Sequence, residues 1–201
     1  MRAEACGRRT EGVAGPTVDE KTLETKRLLI EPLLPEHAPL LHESLTDERL
    51  YRFIPTEPPE SVGVLETRYR KLASRRSSDG SEAWLNFAVR LRQGRTQAGA
   101  AYVGTLEATV YPDRAAHLAY VVFVPFWGRG YAKEGCARLL EYLIEDYGVR
   151  VVAAEIDTRN AASVALAEAL GFERVGTTRG ADHFKGAVSD EYRYKLRVRG
   201  D

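Results

Sequence analysis

The stretch Phe126-Trp127-Gly128-Arg129-Gly130-Tyr131-Ala132 decides how this chain is read. It follows an apolar, strand-like run, His117 to Val124, and leads into a segment of helical period. Ala132, Cys136, Leu139, Leu140, Leu143, Ile144 and Tyr147 recur on one helical face, and Gly148 stands where a glycine cap ends a helix. Two glycines at a strand-to-helix turn let the backbone approach a ligand closely. The helix start offers unpaired N–H groups and the positive end of the helix dipole, which suits a phosphate. No Gly-Lys-Ser/Thr follows, so this is not a Walker A loop. Lys133 stands where the third glycine of a dinucleotide fingerprint would be. A tight turn without a ligand is the plainer reading of the same residues.

Working outward from that turn, the pattern alternates between periods. Upstream, Leu23 to Ile30 reads as a strand ended near Pro32. Pro35 opens a helix through Leu40, Leu41 and Leu45, and Pro55 to Pro59 breaks the chain. A second helix carries Val62, Leu65, Tyr69 and Leu72 on one face. Trp84 to Leu91, Tyr102 to Tyr111 and His117 to Val124 read as strands of an antiparallel meander, separated by Gly94, Gly99 and Pro112-Asp113. On the long helix, Glu134 and Arg138 have the spacing of an i,i+4 pair.

Downstream, Val149 to Ile156 reads as a strand, and Asn160 starts a helix closed by Gly171. Phe172 to Thr178 and Glu191 to Val198 read as two last strands. The order β, α, α, β, β, β, α, β, α, β, β predicts an α/β fold of the α+β kind. Its mixed sheet is mostly antiparallel, with one parallel βαβ crossover from His117 to Ile156 and helices packed on both faces.

Bulk properties narrow the function classes. The chain has 201 residues, 44% of them hydrophobic, enough for one domain, read as residues 21–201. Residues 1–20 form a polar, Arg- and Gly-rich leader, expected to be disordered and lacking the apolar core of a secretory signal. The 29 basic and 29 acidic side chains cancel, so no basic excess points to nucleic acid. No apolar run is long enough for a membrane helix. The two cysteines, Cys6 and Cys136, form neither a metal-ligand spacing nor a disulfide framework, so no metal is expected and a cytoplasmic location is.

Ala116-His117-Leu118-Ala119-Tyr120, followed by Trp127-Gly128-Arg129-Gly130-Tyr131-Ala132-Lys133-Glu134, resembles motif A of the GNAT acetyltransferase superfamily. Glu24-Thr25-Lys26-Arg27-Leu28, and Asn160-Ala161-Ala162-Ser163 with Leu170-Gly171-Phe172, are similar to the opening and ending of its RimJ/RimL-like branch. The resemblance covers about residues 23–198. It implies an acetyl-CoA-dependent N-acetyltransferase acting on a primary amine, either a protein N-terminus or a small molecule. The cofactor would be acetyl-CoA as co-substrate, without a metal. A non-catalytic acyl-CoA-binding or sensing module is the alternative. Members of the family often dimerise, so a homodimer is compatible with this reading.

The resemblance also implies roles for residues. Gly128, Arg129, Gly130, Tyr131 and Ala132 would cradle the coenzyme A pyrophosphate. The strand ending at Val122 and Val124 would bond the pantetheine arm through its main chain, splaying from the strand Val149 to Ile156. Asn160 would contact the pantetheine and Ser163 would lie near the sulfur. For both, helix N-capping is the competing reading.

Amide formation needs a base for the amine proton. Relatives often carry a Glu in the strand before the loop, where this chain has His117. A slip of one residue would put Leu118 there and turn the face over. Glu107, in the strand Val103 to Val110, is the second candidate base. Asp157, just past the strand Val149 to Ile156, is a weaker one, and it could instead pair with Arg159 or cap the next helix. The resemblance places the last loop, with Asp182, His183 and Asp190, near the acceptor; a polar hairpin loop is the plainer reading. Many relatives place a tyrosine one turn beyond Ser163, but Ala167 stands there, which leaves Ser163 or water to protonate the thiolate.

Overall fold

A computed structural model describes residues 21–96 and 99–198. The expected leader and Cys6 lie outside the described residues. The chain opens with two short strands, β1 (Leu23–Glu24) and β2 (Leu28–Pro32), in place of the single strand expected over Leu23 to Ile30. Thr25 makes the break, because its Oγ1 accepts from the Leu28 N–H at 2.9 Å. A threonine hydroxyl that satisfies a nearby backbone donor favours a turn over a continuing strand. After a one-turn 3-10 helix at Pro35–His37 comes α1 (Ala38–Leu45). The second helix, α2 (Val62–Leu72), starts on Ser61, whose Oγ accepts from Val64 N.

The meander consists of β3 (Ala83–Thr96), β4 (Gly99–Val110) and β5 (Ala115–Val122), antiparallel as expected. The predicted long helix is α3 (Tyr131–Tyr147), ended by Gly148 at φ 61°. Then follow β6 (Val151–Asp157), α4 (Ala161–Ala169), β7 (Glu173–Phe184) and β8 (Ala187–Arg197). All eight strands form one sheet in the order β1-β2-β3-β4-β5-β6-β8-β7. β5 and β6 are its parallel pair, joined through α3.

The two sheet faces carry separate cores. On one, Cys136, Leu139 and Leu143 of α3 bury against Leu28, Leu85, Leu106 and Leu118. On the other, Leu41 of α1 with Leu65 and Tyr69 of α2 bury against Ala88 and Phe123. Each buried leucine contributes about 1.5–3 kcal/mol relative to exposure, so both layers are held mainly by apolar burial.

Four expectations are corrected. Val124 lies outside β5, in a one-turn 3-10 helix, Val124–Phe126, because Pro125 has no N–H for a ladder. Glu134 does not pair with Arg138, which meets Glu141 at 3.5 Å, but turns to Thr25 and Arg27. Tyr142 is fully buried in α3, whereas Ile144 and Tyr147 are half-buried. The polar stretch between the two last strands is mostly paired hairpin, turning at Lys185-Gly186. Its polarity reflects an exposed edge strand, β7, whose ladder uses backbone groups whatever the side chains are.

One close approach shapes the sheet's centre. The β3–β4 register shifts from Val89↔Gly104 to Arg90↔Tyr102, a bulge that bends β4 towards β5. A Cβ at Gly104 would lie 1.9 Å from the Val121 carbonyl oxygen.

Candidate active site

The β5–β6 ladder runs only from Ala115↔Val151 to His117↔Ala153. Beyond it β5 continues to Val122 beside β4, while β6 continues to Asp157 beside β8. The sheet therefore forks at the C-terminal ends of its parallel strands, where ligands settle in open α/β sheets. The fork opens towards the loop that precedes α3.

That loop is held in shape by residues distant in sequence. Gly128 and Gly130 both have positive φ, 71° and 76°, which a residue with a Cβ adopts only at a cost. Among the described residues no side chain caps α3 at Gly130, which leaves the helix start open to an anion. Arg27 donates from Nη1 to the Arg129 carbonyl at 2.9 Å and lies 4.5 Å from the Tyr131 ring centre. Its Nε meets Glu134 Oε2 at 2.5 Å, and Thr25 Oγ1 donates to Glu134 Oε1 at 2.6 Å. Burial raises the Glu134 carboxyl, but these hydrogen bonds outweigh it and hold the group below its usual range. The Val122 carbonyl accepts from Trp127 Nε1 at 2.6 Å, and the Val124 carbonyl from Trp127 N.

On the α2 side of the fork lies a cleft of about 590 Å³. Thr105, Glu107, Tyr120 and Val121 border it from the sheet, and Leu65, Arg68 and Tyr69 from α2. Glu107 also lines an adjoining cavity of about 310 Å³ with His117. Burial pushes the Glu107 carboxyl above the usual carboxylate range, and the nearby charge of Arg68 partly opposes this. A carboxyl so raised suits a base working near neutral pH.

His117 and Glu107 share a sheet face, and Leu118 turns into the opposite core. The His117 Nε2, however, is engaged with the Glu155 carboxylate. Asp157 is buried and bonded to Arg159 and Ser189; the Arg159 guanidinium, 2.6 Å away, holds its carboxyl down to about 2. Asp190 Oδ1 accepts from Gly180 N at 2.8 Å within the last hairpin, which also contains Asp182 and the exposed His183.

Asn160 caps α4, its Oδ1 accepting from Ser163 N at 3.1 Å. Ser163 Oγ accepts from the Tyr120 hydroxyl at 2.8 Å. Sequence reasoning missed Tyr120 as a polar partner, having looked for a tyrosine on α4. The signal was available: a tyrosine in an apolar strand needs a hydrogen-bond partner for its hydroxyl. Arg68 was missed as well, because exposed arginines on a helix carry no pattern.

Residues 27–173 match the Acetyltransferase (GNAT) domain family. The chain is 28% identical to FsC-acetyl coenzyme A-N(2)-transacetylase of Aspergillus fumigatus, over 79% of this chain and 67% of that protein. It is 22% identical to the uncharacterized N-acetyltransferase p20 of Bacillus licheniformis, over 88% of this chain and 96% of that protein. Among solved structures, RimL, a ribosomal L7/L12 alpha-N-protein acetyltransferase in complex with coenzyme A, superposes with a TM-score of 0.77 at 17% identity, covering 89% of this chain and 98% of that one. Spermidine N-acetyltransferase of Vibrio cholerae, in complex with CoA and spermine, gives 0.71 at 20% identity, covering 86% and 96%. With its forked mixed sheet and Gly128–Gly130 turn, this chain belongs to the GNAT acetyltransferase family.

Proposed function

We propose that this protein transfers an acetyl group from acetyl-CoA to a primary amine, within a domain of residues 21–201. The observation that carries this reading is Glu107, a desolvated carboxyl bordering the cleft that opens on the forked sheet. In the reaction the amine nitrogen attacks the thioester carbonyl carbon and the C–S bond breaks. The amine proton passes to the Glu107 carboxylate, and the thiolate takes up a proton. The N–H groups from Gly128 to Ala132 would hold the pyrophosphate, and the β5 main chain up to Val122 would hold the pantetheine arm. Asn160 would use its remaining amide hydrogens on that arm. Ser163 would face the sulfur, its hydrogen aimed by Tyr120. His117 is less suited to the base role, because its Nε2 already faces Glu155.

A thermal-shift titration with acetyl-CoA, controlled by ATP and NAD, tests the co-substrate. Saturable stabilisation by acetyl-CoA alone is expected, about 2.7 kcal/mol at a hundred times the dissociation constant. Thiol release with a panel of amines then tests the transfer. No stabilisation at millimolar acetyl-CoA would overturn the reading.

A further inference from the structure

The smaller cavity beside Glu107 has its own chemistry. Asn86 of β3 is the register partner of Glu107, and Thr109 is the partner of Trp84 and His117. Above this floor α2 contributes Arg68 and Lys71, closing a space of about 310 Å³.

Asn86 is 5% exposed. Its main-chain carbonyl accepts from Arg75, but its carboxamide has no hydrogen-bond partner among the described residues. The carboxamide lines the cavity, so its oxygen and its amide hydrogens are open to a polar ligand there. The wall above it is cationic. Arg68 has no carboxylate within ion-pair distance among the described residues, and Lys71 lies only over the Trp84 ring, at 5.9 Å. Beyond His117 the sign reverses at Glu155. Arg68 and Lys71 thus set positive charge on the α2 side of this cavity, and the carboxyls of Glu107 and, beyond His117, Glu155 set negative charge on its sheet side.

A molecule with an amine at one end and an acid at the other fits that arrangement. The planar fork of an arginine pairs well with a carboxylate, and a monoanion is repelled less than a phosphate by the neighbouring Glu107. A polyamine would instead bring further positive charge against Arg68 and Lys71. Resting on the acetyl-transfer reading, we propose that the acceptor is an amino acid or a similar amino-carboxylate. Its amine lies beside Glu107, and its carboxylate is held by Arg68, Lys71 and the Asn86 carboxamide.

The test measures thiol release from acetyl-CoA with the common amino acids, their amides, the decarboxylated amines and spermidine. At least one amino acid should exceed its amide and its decarboxylated amine by about tenfold or more in kcat/KM, the scale of one charge-assisted hydrogen bond. Arg68→Ala, Lys71→Ala and Asn86→Ala should each bring that acid-to-amide ratio down towards one, through a higher KM for the acid. Arg68 and Lys71 are exposed, so their substitution tests the site without emptying a core. Preference for amides, amines or spermidine would overturn the proposal, as would a ratio that Arg68→Ala leaves in place. So would acetylation of no panel member by protein that still binds acetyl-CoA. Failure of acetyl-CoA to stabilise the protein would instead overturn the acetyl-transfer reading beneath it.

Discussion

Tyr120 donates its hydroxyl hydrogen to Ser163 Oγ at 2.8 Å, linking β5 to the first turn of α4. Burial pushes the phenol up to about 12, so it keeps its proton throughout the neutral range. Because the serine oxygen accepts that bond, the serine's own hydrogen is left to point away from the tyrosine. Tyr120 is thus a positioning residue for Ser163. Tyr120→Phe should lower kcat by about three- to tenfold, the worth of one neutral hydrogen bond. Ser163→Ala should lower it further, and the double variant should be no slower than Ser163→Ala alone. Steady-state thiol-release kinetics would read all three, and additive losses would contradict the coupling.

Glu107→Gln should reduce kcat by about a hundredfold or more, in the range expected for losing a general base. In the wild type, the acid limb of the kcat/KM profile should lie above the ordinary carboxylate value of 4.5, and the Gln variant should lack it. The stability effect has the opposite sense. A carboxyl raised by burial favours the folded state below its ordinary pKa and loses that contribution as pH rises through its folded value. Glu107→Gln should therefore melt at or above the wild-type temperature at pH 7, with the gap closing towards pH 4.

Glu134 receives hydrogen bonds from the Thr25 side chain and from both the backbone and side chain of Arg27. Glu134→Gln should cost about 1–2 kcal/mol in urea unfolding, since it weakens charge-assisted bonds. It should also weaken acetyl-CoA binding, because Arg27 would lose its hold on the Arg129 carbonyl. The Glu134 carboxyl is held low, so its contribution is full above 4.5 and fades as pH falls through the lower folded value. The stability gap between variant and wild type should narrow over that acidic interval.

Gly104→Ala should destabilise the fold by at least about 3 kcal/mol, because overpacking against rigid backbone is more costly than against a side chain. The added Cβ would meet the Val121 carbonyl oxygen at 1.9 Å. Chemical denaturation or loss of soluble protein would register it. Gly128→Ala offers the contrast: its Cβ would meet nothing within 4 Å, so only its positive φ is penalised.

Much of this architecture was legible in sequence, for reasons that can be named. Period changes located α2, α3 and the meander, and the Gly130 and Gly148 punctuation bounded α3 to the residue. The breaks were harder. Thr25 and Pro125 each end a strand by one local interaction inside an apolar run. The polar hairpin of β7 and β8 pairs through backbone, which leaves no alternation to read. At the site, the glycines marked a strand-to-helix turn, and the roles of Asn160 and Ser163 came from the resemblance alone. The sequence put His117 ahead of Glu107 and could not show that Glu155, thirty-eight residues from His117, meets its Nε2. Nor could it join Tyr120 to Ser163 or bring Asn86 and Arg68 to one cavity, since both arrangements exist only once the strands and helices are stacked.

The three-rung junction between β5 and β6 has a mechanical consequence. Strands β1 to β5 form one leaf of the sheet and β6, β8 and β7 the other, and few backbone bonds join the leaves directly. Side chains of α3 share one apolar core with residues of both leaves. A co-substrate arm bonded to both edges would act as a missing rung, stiffening the seam between the two leaves. Amide exchange should then slow in both leaves at once when acetyl-CoA is added, and residues far from the ligand, such as Tyr194 in the core under β8, should report its arrival.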